Sequence, residues 1–381
     1  MKFLIILILL FSSNVFADDI TIEMAIKPSF EDAFNFSEGL AAVKIATNTG
    51  STWGFINKKG IMVIKPVFDR AHSFHEGLAD VEIGNQYGYI DSQGNWAIKT
   101  IGSGGYFYEG LASMSIGLKN GAGYINKQGK FVINPKYTMS GPFKNGLALV
   151  SKSKDESYYG NHGFIDKTGK EIIPLNYSYA DSFSENLAGV GLCENDECKE
   201  GFIDKKGAMV ISANYDSAGN FSEGLAAVRI GGKDNGKWGY IDKRGNFVIP
   251  LTYDEAGPFS EGLAYVRVGD KENGKYGFIN KKGQVVIETQ FDYAYNFSEG
   301  VAEVRYGDFE TGKVAFIDAR GKLLTNPSFE TESGFGSQCC DIPGFHEGMA
   351  KVAVMNGDKK VIGFITKKTN KLIPKTSDKK M

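Results

Sequence analysis

The stretch Lys237-Trp238-Gly239-Tyr240-Ile241-Asp242-Lys243-Arg244-Gly245 decides the fold, because versions of it recur nine times along the chain. They include WGFINKKG from Trp53, YGYIDSQG from Tyr87, HGFIDKTG from His162 and YGFINKKG from Tyr276. Every copy has an aromatic residue directly after the glycine slot, and isoleucine follows it. A motif that returns at a regular interval indicates tandem supersecondary units that pack on their neighbours.

A second landmark precedes each copy of this motif. It consists of phenylalanine, two further residues, glycine or asparagine, and an aliphatic residue, as in FSEGLAAV from Phe36 and FKNGLALV from Phe143. Most landmarks lie about 38 residues apart, and the longer last interval indicates an insertion at about residues 325–344. Because its glutamate recurs in eight units, we interpret that residue as part of the scaffold, where it accepts hydrogen bonds from turn N–H groups. These glutamates are Glu38, Glu76, Glu109, Glu185, Glu223, Glu261, Glu299 and Glu347.

Each unit has room for three strands, which in one copy are residues 225–230, 238–242 and 247–249. Short runs rich in β-branched and aromatic residues, separated by glycine, are typical of strands. Tyr240 and Ile241 are adjacent and would face opposite sides of a sheet, so the middle strand is predicted to be buried on both sides. The sequence therefore predicts an all-β tandem array of nine antiparallel three-stranded units of about 38 residues each.

The two ends of the array bear on whether it is open or closed. Residues 25–30 repeat the pattern of residues 63–68, so the array begins with an extra third strand. The last unit also ends in such a strand, at residues 371–374, and therefore lacks no strand that the first could supply. This reasoning favours an open solenoid or superhelix over a closed β-propeller.

The N-terminal residues predict export. Residues 1–17 combine one lysine, a short apolar run and small residues before Ala17, which is typical of a secretory signal peptide. We expect the array to occupy residues 18–375 and a polar tail residues 376–381. Interspersed charges, with a net charge of −2, indicate neither a nucleic-acid partner nor an anionic membrane, and no later run could span a bilayer. The mature chain is expected in the periplasm or outside the cell.

The four cysteines of an exported chain suggest an oxidising compartment. Cys193 and Cys198 lie in one short segment, whereas Cys339 and Cys340 are adjacent. Three pairings are formally possible. We favour a local bridge between Cys193 and Cys198, with the adjacent pair either joined or reduced.

These motifs resemble those of the WG-repeat (KWG-repeat) family of bacterial proteins. The match to W-G-[FY]-I-[ND]-x-x-G extends from about residue 20 to residue 374. The resemblance implies a β-strand repeat scaffold, often exported, and no common catalytic activity. The tryptophan of the motif is present only at Trp53 and Trp238.

A functional site is expected where the units differ, because residues common to all units serve the scaffold. Before the motif glycine, the aromatic side chains could offer platforms to a ligand, or they could cover a neighbouring unit. Equivalent arginines in consecutive units could form a basic ladder, or they could pair with acids such as Asp254 and Asp292. The platform candidates are Trp53, Tyr87, Trp238 and Tyr276, and the ladder candidates are Arg229, Arg267 and Arg305.

We found no catalytic, cofactor or metal motif in the sequence. His72 and His75 are three residues apart and would need further ligands to bind a metal. The sequence therefore favours an exported, non-catalytic scaffold for protein or glycan binding. A cell-envelope carbohydrate-active enzyme and a purely structural envelope protein are the alternatives.

Overall fold

The computed structural model describes residues 19–48, 50–117, 121–153, 161–194, 197–308, 311–331 and 342–370. The predicted signal peptide, the pair Cys339 and Cys340, half of the predicted insertion and the C-terminal tail lie outside these residues. Within them the regular structure consists of strands alone. No helix among these residues is long and apolar enough to cross a membrane.

The strands follow one another at the interval of the sequence repeat. The first group is β1 (Asp19–Phe30), β2 (Asp32–Ala33), β3 (Leu40–Thr47), β4 (Gly50–Asn57), β5 (Met62–Phe68), β6 (Arg70–Ala71), β7 (Ala79–Ile83), β8 (Gln86–Ile90), β9 (Trp96–Thr100), β10 (Gly104–Tyr108), β11 (Leu111–Ser115), β12 (Ala122–Asn126) and β13 (Phe131–Tyr137). The next is β14 (Met139–Lys144), β15 (Leu147–Lys152), β16 (Asn161–Asp166), β17 (Glu171–Tyr177), β18 (Tyr179–Ala180), β19 (Leu187–Glu194), β20 (Glu197–Asp204), β21 (Met209–Tyr215), β22 (Ser217–Ala218), β23 (Leu225–Ile230), β24 (Lys237–Asp242) and β25 (Phe247–Tyr253). The last is β26 (Glu255–Ala256), β27 (Leu263–Val268), β28 (Lys275–Asn280), β29 (Val285–Phe291), β30 (Tyr293–Ala294), β31 (Val301–Tyr306), β32 (Lys313–Asp318), β33 (Phe329–Glu330), β34 (Met349–Asn356) and β35 (Lys359–Asn370).

The described strands form seven four-stranded antiparallel sheets and one seven-stranded sheet, and none of these sheets closes into a barrel. In the sheet β22–β23–β24–β25, the three predicted strands are β23, β24 and β25, with the motif strand β24 between the other two. The all-β tandem array of antiparallel units is therefore confirmed. The units have a fourth strand that the sequence did not predict, because a two-residue strand such as β22 is too short to show alternation.

The motif strand is buried on both sides, as predicted. Tyr240 and Ile241 are both fully buried, and they belong to different hydrophobic clusters. Tyr240 packs toward the following unit and Ile241 toward the preceding one. A Cβ atom on Gly239 would lie 2.6 Å from the carbonyl oxygen of Ile249, so the outer strand approaches this position too closely for a side chain.

The glutamate of the second landmark connects neighbouring units. Glu223 (φ 52°) and Gly224 (φ 88°) both have positive φ values, as the central residues of a type I′ hairpin turn do. The Glu223 carboxylate accepts the Gly262 N–H of the next unit at 3.1 Å and pairs with Lys281 at 2.8 Å. The interpretation of these glutamates as scaffold residues agrees with this arrangement.

The two ends of the array meet. Strand β1 pairs antiparallel with β35 of the last unit, and the buried rings of Phe36 and Phe364 contact each other at 4.9 Å. The Glu347 carboxylate of the last unit accepts the Gly39 N–H of the first at 3.0 Å, which is the same bond that joins other neighbours. The array is thus closed on itself, as in a β-propeller.

The preference for an open array is corrected by this pairing. It assumed that residues 371–374 complete the last unit, and they lie outside the described residues. The structure instead places β1 beside β35, in the position that the outer strand has in the other units. Because Ile26 and Phe30 of β1 repeat the outer-strand pattern, β1 can bury them against the last unit.

Candidate functional site

The platform and ladder candidates, which were predicted separately, are cross-strand neighbours. In the register of the strands, Arg229 lies opposite Trp238, and Arg267 lies opposite Tyr276. On its other side, each of these arginines faces the short first strand of its sheet, which contributes Ser217 or Glu255. Each sheet thus has one row of residues, across its first three strands, that varies from unit to unit.

Glu255 organises this row in one unit. Its carboxylate oxygen Oε2 accepts the Tyr276 hydroxyl at 2.7 Å and lies 3.3 Å from Nε of Arg267. Arg267 also donates from Nη1 to the Gly269 carbonyl at 2.6 Å. Burial and the neighbouring Glu255 carboxylate raise the pKa of Tyr276, so its hydroxyl is a hydrogen-bond donor at neutral pH.

Arg305 occupies the same place in the next unit but is buried, with 4% of its surface exposed. Its guanidinium lies over the rings of Tyr293 and Tyr295, at 5.7 and 5.2 Å from their centroids. It donates to the Tyr295 hydroxyl at 2.7 Å, and its Nε lies 3.9 Å from a Glu303 oxygen. These contacts hold the charge among aromatic rings rather than presenting it to solvent.

The three arginines therefore do not form an exposed basic ladder. Arg267 and Arg305 have acidic neighbours in Glu255 and Glu303, as the alternative of acid pairing requires, although the acids differ from those expected. Asp254 and Asp292 instead bind lysines, Lys237 and Lys275, at the ends of the hairpins.

Aromatic rings connect these two units. Tyr276 lies 6.0 Å from Tyr265 and 5.0 Å from Tyr293, and Tyr293 lies 5.0 Å from Tyr295, between ring centroids. Tyr265, Tyr293 and Tyr295 are half-buried, so each keeps part of its ring at the surface. We call the following set the tyrosine–arginine cluster: Tyr265, Tyr276, Tyr293, Tyr295, Arg267, Arg305 and Glu255.

Trp238 lies in the sheet before this cluster. Its ring is half-buried against the core between its own unit and the next, and the Arg229 guanidinium lies 5.8 Å from its centroid. Arg229 also donates to the Gly232 carbonyl at 3.4 Å. The candidates in three consecutive sheets thus share one kind of environment, in which an arginine lies beside an aromatic ring.

The other two platform candidates lie apart from this group. Trp53 is buried, with 6% of its surface exposed, and its ring contacts Phe34 at 5.4 Å. It fills the core between its own unit and the next, so it is not an exposed platform. Tyr87 is half-buried, and its neighbour Glu82 raises its pKa through a hydrogen bond. Tyr276 is only 5% exposed, so most of the surface at its place is provided by the other residues of the tyrosine–arginine cluster.

The sequence reasoning missed Tyr293, Tyr295, Glu255 and Glu303. The first three lie on or beside the two-residue strands β26 and β30, which were not predicted. The signal was present, because the positions around the alanine of these strands differ between units whereas the alanine itself often recurs. Glu303 and Arg305 also line a small surface cavity toward the last unit, together with Glu330 and Lys351.

Two further predictions concern covalent and metal chemistry. Cys193 and Cys198 are disulfide-bonded across the hairpin of β19 and β20, as the spacing predicted. Among the residues that the structure describes, no group of three or more histidine, cysteine, aspartate or glutamate side chains could hold a metal ion.

A family model described as WG containing repeat matches the chain in eight tandem segments, which together cover more than half of it. The matched segments are residues 23–46, 53–87, 87–117, 123–154, 163–192, 201–233, 238–271 and 276–308. Among curated proteins, no relative matches the sequence significantly.

Three solved structures illustrate the structural likenesses. Hsv2 from Kluyvelomyces marxianus has 11% identity and a TM-score of 0.39, over 69% of this chain and 100% of Hsv2. Oligopeptidase B from Leishmania major has 7% identity and a TM-score of 0.43, over 92% of this chain and 54% of its own. The biofilm matrix protein Bap1 from V. cholerae has 11% identity and a TM-score of 0.38, over 93% of this chain and 92% of its own. With TM-scores below 0.5, these likenesses establish no function for this chain.

Proposed function

Because this chain belongs to the family of WG-containing repeat proteins, we propose that it is an exported, non-catalytic scaffold that binds a protein or a glycan through the tyrosine–arginine cluster. The single observation that carries the proposal is that Tyr293, Tyr295 and Arg305 lie together at places whose residues vary from unit to unit. Residues shared by all units build the array, whereas residues at the variable places are available for a ligand.

The composition of the cluster favours a protein partner over a glycan. Tyrosine, tryptophan and arginine are the residues that contribute most often to the binding energy of protein interfaces. Tyr276 and Arg267 are held by Glu255, and Arg305 is held against two adjacent rings, so little side-chain freedom remains to be lost on binding. Half-exposed tyrosines with fixed neighbours provide contact area at a low entropic cost.

Export to the periplasm or the exterior is part of the same proposal. It rests on residues 1–17, whose sequence is typical of a signal peptide, and on a disulfide that needs an oxidising compartment to persist. Expression of the full chain in a bacterium, followed by fractionation, should place the protein outside the cytoplasm with residues 1–17 removed. Cytoplasmic protein with an intact N-terminus would contradict export.

The binding proposal is tested with peptide and glycan arrays probed with the chain lacking residues 1–17, followed by titration of the best probe. Tyr293→Ala and Tyr295→Ala are expected to weaken binding about tenfold or more, which corresponds to about 1.4 kcal/mol. Tyr179→Ala is the matched control, because Tyr179 occupies the place of Tyr293 in another unit and is 43% exposed. Absence of any bound probe, or equal effects of all three substitutions, would contradict the proposal.

One observation favours the alternative of a carbohydrate-active enzyme. Burial raises the pKa of both Asp181 and Glu200, and the charge of Asp181 adds to the rise at Glu200. Asp181 accepts the Tyr179 hydroxyl at 2.7 Å, and Glu200 accepts the Ala218 N–H at 2.6 Å. A carboxylic acid with a raised pKa can act as a general acid in glycoside hydrolysis. Hydrolysed products on the glycan array, lost in Glu200→Gln, would favour the enzyme over the scaffold.

A further inference from the structure

A histidine and an aspartate form a hydrogen-bonded pair on the second unit, away from the tyrosine–arginine cluster. Nδ1 of His72 lies 3.0 Å from Oδ2 of Asp80, and Asp80 is buried, with 6% of its surface exposed. Burial raises the pKa of Asp80, while its hydrogen bond to His72 and the charge of His72 oppose the rise. The contact leaves Nε2 of His72 directed away from Asp80, on a side chain that is 18% exposed.

This pair is not part of the repeated scaffold. The backbone N–H of His72 donates to the Asp80 carbonyl, and the same bond joins Phe34 to Ala42 in the preceding unit and Gly219 to Ala227 in a later one. The positions are therefore equivalent, and these two units hold apolar residues or glycine there. Another unit holds Tyr295 and Glu303 at the same place, so its residues vary from unit to unit and the repeat does not require the His72–Asp80 pair.

Aromatic rings surround the histidine. The His72 ring lies 5.9 Å from Phe34 and 6.1 Å from Tyr106, and Tyr106 lies 4.2 Å from His75, between centroids. His75 also lies 5.1 Å from Tyr108. His72, His75, Tyr106 and Tyr108 are all half-buried, so the four rings share one partly exposed patch.

Two of these rings replace a structural contact. In five other units a serine at the same place donates its hydroxyl to the carbonyl of the next landmark phenylalanine, at 2.6 or 2.7 Å. These serines are Ser37, Ser184, Ser222, Ser260 and Ser298. His75 and Tyr108 occupy this place in the second and third units, so the chain gives up the serine bond there in favour of rings.

We propose that His72, His75, Tyr106 and Tyr108 form a binding subsite for a neutral pyranose ring of a glycan, and that Asp80 positions His72 for it. A pyranose has an apolar C–H face that packs on aromatic rings and hydroxyl groups at its edge. This site is separate from the tyrosine–arginine cluster and does not depend on the function proposed for that cluster.

The contact between His72 and Asp80 suits a hydroxyl ligand. In the proposed site, Nδ1–H of His72 donates to Asp80 and Nε2 is the acceptor for a hydroxyl of the ligand. An acceptor suits a sugar hydroxyl, which can donate, and does not suit the oxygens of a carboxylate or phosphate. Burial lowers the pKa of His75, against the charges of Glu38 and Glu76, so the His75 ring is uncharged at neutral pH. Arg70, two residues before His72 in the sequence, is already paired with the Glu82 carboxylate at 3.4 Å.

The probes are neutral hexasaccharides of glucose and of N-acetylglucosamine, together with a tyrosine-rich peptide, titrated calorimetrically into the chain lacking residues 1–17. At least one hexasaccharide should bind and should shift the imidazole signals of His72 in a saturable way. His72→Ala and Tyr106→Ala should weaken that binding about tenfold or more. Binding of the peptide alone, or no shift at His72 with any hexasaccharide, would overturn the proposal.

Asp80→Asn tests the positioning role, because an asparagine amide would donate to Nδ1 and move the proton to Nε2. The ¹⁵N shifts of His72 should report this exchange of tautomers, with affinity reduced about tenfold even where the thermal midpoint is unchanged. His346→Ala is the matched control, since His346 occupies the place of His75 in another unit. This control should not change hexasaccharide affinity, and an unchanged affinity in Asp80→Asn with the proton moved would contradict the role of Asp80.

Discussion

Closure of the array by β1 makes a quantitative prediction for Phe30. This residue is 7% exposed and belongs to the cluster that joins the first and last units, where it lies opposite Ile362 of β35. Phe68 holds the equivalent place in β5 of the first unit and is 4% exposed. Replacing a buried phenylalanine by alanine costs about 3–5 kcal/mol, as lost transfer free energy and as a cavity. We therefore expect Phe30→Ala to cost about as much as Phe68→Ala.

Hydrogen exchange followed by mass spectrometry separates the closed array from an open one. In the closed array, Phe30→Ala should lower the protection of amides in β35 and β34, because β1 is the outer strand of that unit. In an open array, β1 would be a terminal strand far from β35, and the substitution would affect only the first unit. A cost below about 1 kcal/mol for Phe30→Ala, with β35 unaffected, would refute the closure.

A larger perturbation tests the same contact. Truncation before Asn326 removes β33, β34 and β35, so β1 loses its partner and Glu347 no longer binds Gly39. Because the contact between the first and last units is then lost, hydrogen-exchange protection should fall in the first unit as well as at the new terminus. Loss confined to the new terminus would contradict the closed arrangement.

Three further predictions concern the repeated contacts. Burial raises the pKa of Glu223, but Lys281 and the Gly262 N–H outweigh this effect, so the pKa is lowered from 4.5. The ionised Glu223 carboxylate therefore contributes fully to stability above pH 4.5. This contribution is lost as the pH falls through the folded-state pKa. Thermal midpoints measured from pH 7 to pH 3 should therefore fall less in Glu223→Gln than in the wild-type chain, and parallel curves would argue against it. Non-reducing peptide mapping should join Cys193 to Cys198, and Cys193→Ser should cost about 2 kcal/mol in urea unfolding by the loop-entropy estimate, with a bridge to another cysteine as the contrary result. Ile241→Ala should cost about 2–5 kcal/mol and reduce hydrogen-exchange protection mainly in its own unit and the preceding one, whereas uniform loss over the whole chain would speak against local coupling.

The local architecture could be read from the sequence because its causes are local. The turn after β24 illustrates this, since Asp242 accepts the N–H groups of Arg244 and Asn246 at 2.9 Å and Gly245 has a φ of 84°. An acidic side chain and a glycine at this spacing predict such a turn without knowledge of the rest of the chain. The burial of Tyr240 and Ile241 follows in the same way, because two adjacent fixed apolar residues on a strand need cover on both faces.

The candidate site could be predicted only in part. The variable places were recognised at Trp238, Tyr276 and the three arginines, because they belong to strands with a readable pattern. The exposure of those places could not be predicted, because it depends on what the neighbouring unit contributes. Trp53 is buried by Phe34, whereas Trp238 at the same place in its unit is half-buried beside Arg229. A two-residue strand has no periodicity, so Tyr293 and Glu255 escaped notice.

The sequence by itself determined the repeat, the strand order within each unit, the main turns and the local disulfide, all of which depend on residues close together in the chain. Only the tertiary structure decided that the array closes, because β1 and β35 are separated by almost the whole chain. The outer-strand pattern of β1 does not specify which motif strand it pairs with. It also decided the partners of the site residues. Arg305 lies against the rings of both Tyr293 and Tyr295 because packing of the sheets brings their side chains together. A charge enters such a place only when neighbouring rings and hydrogen bonds offset the loss of water.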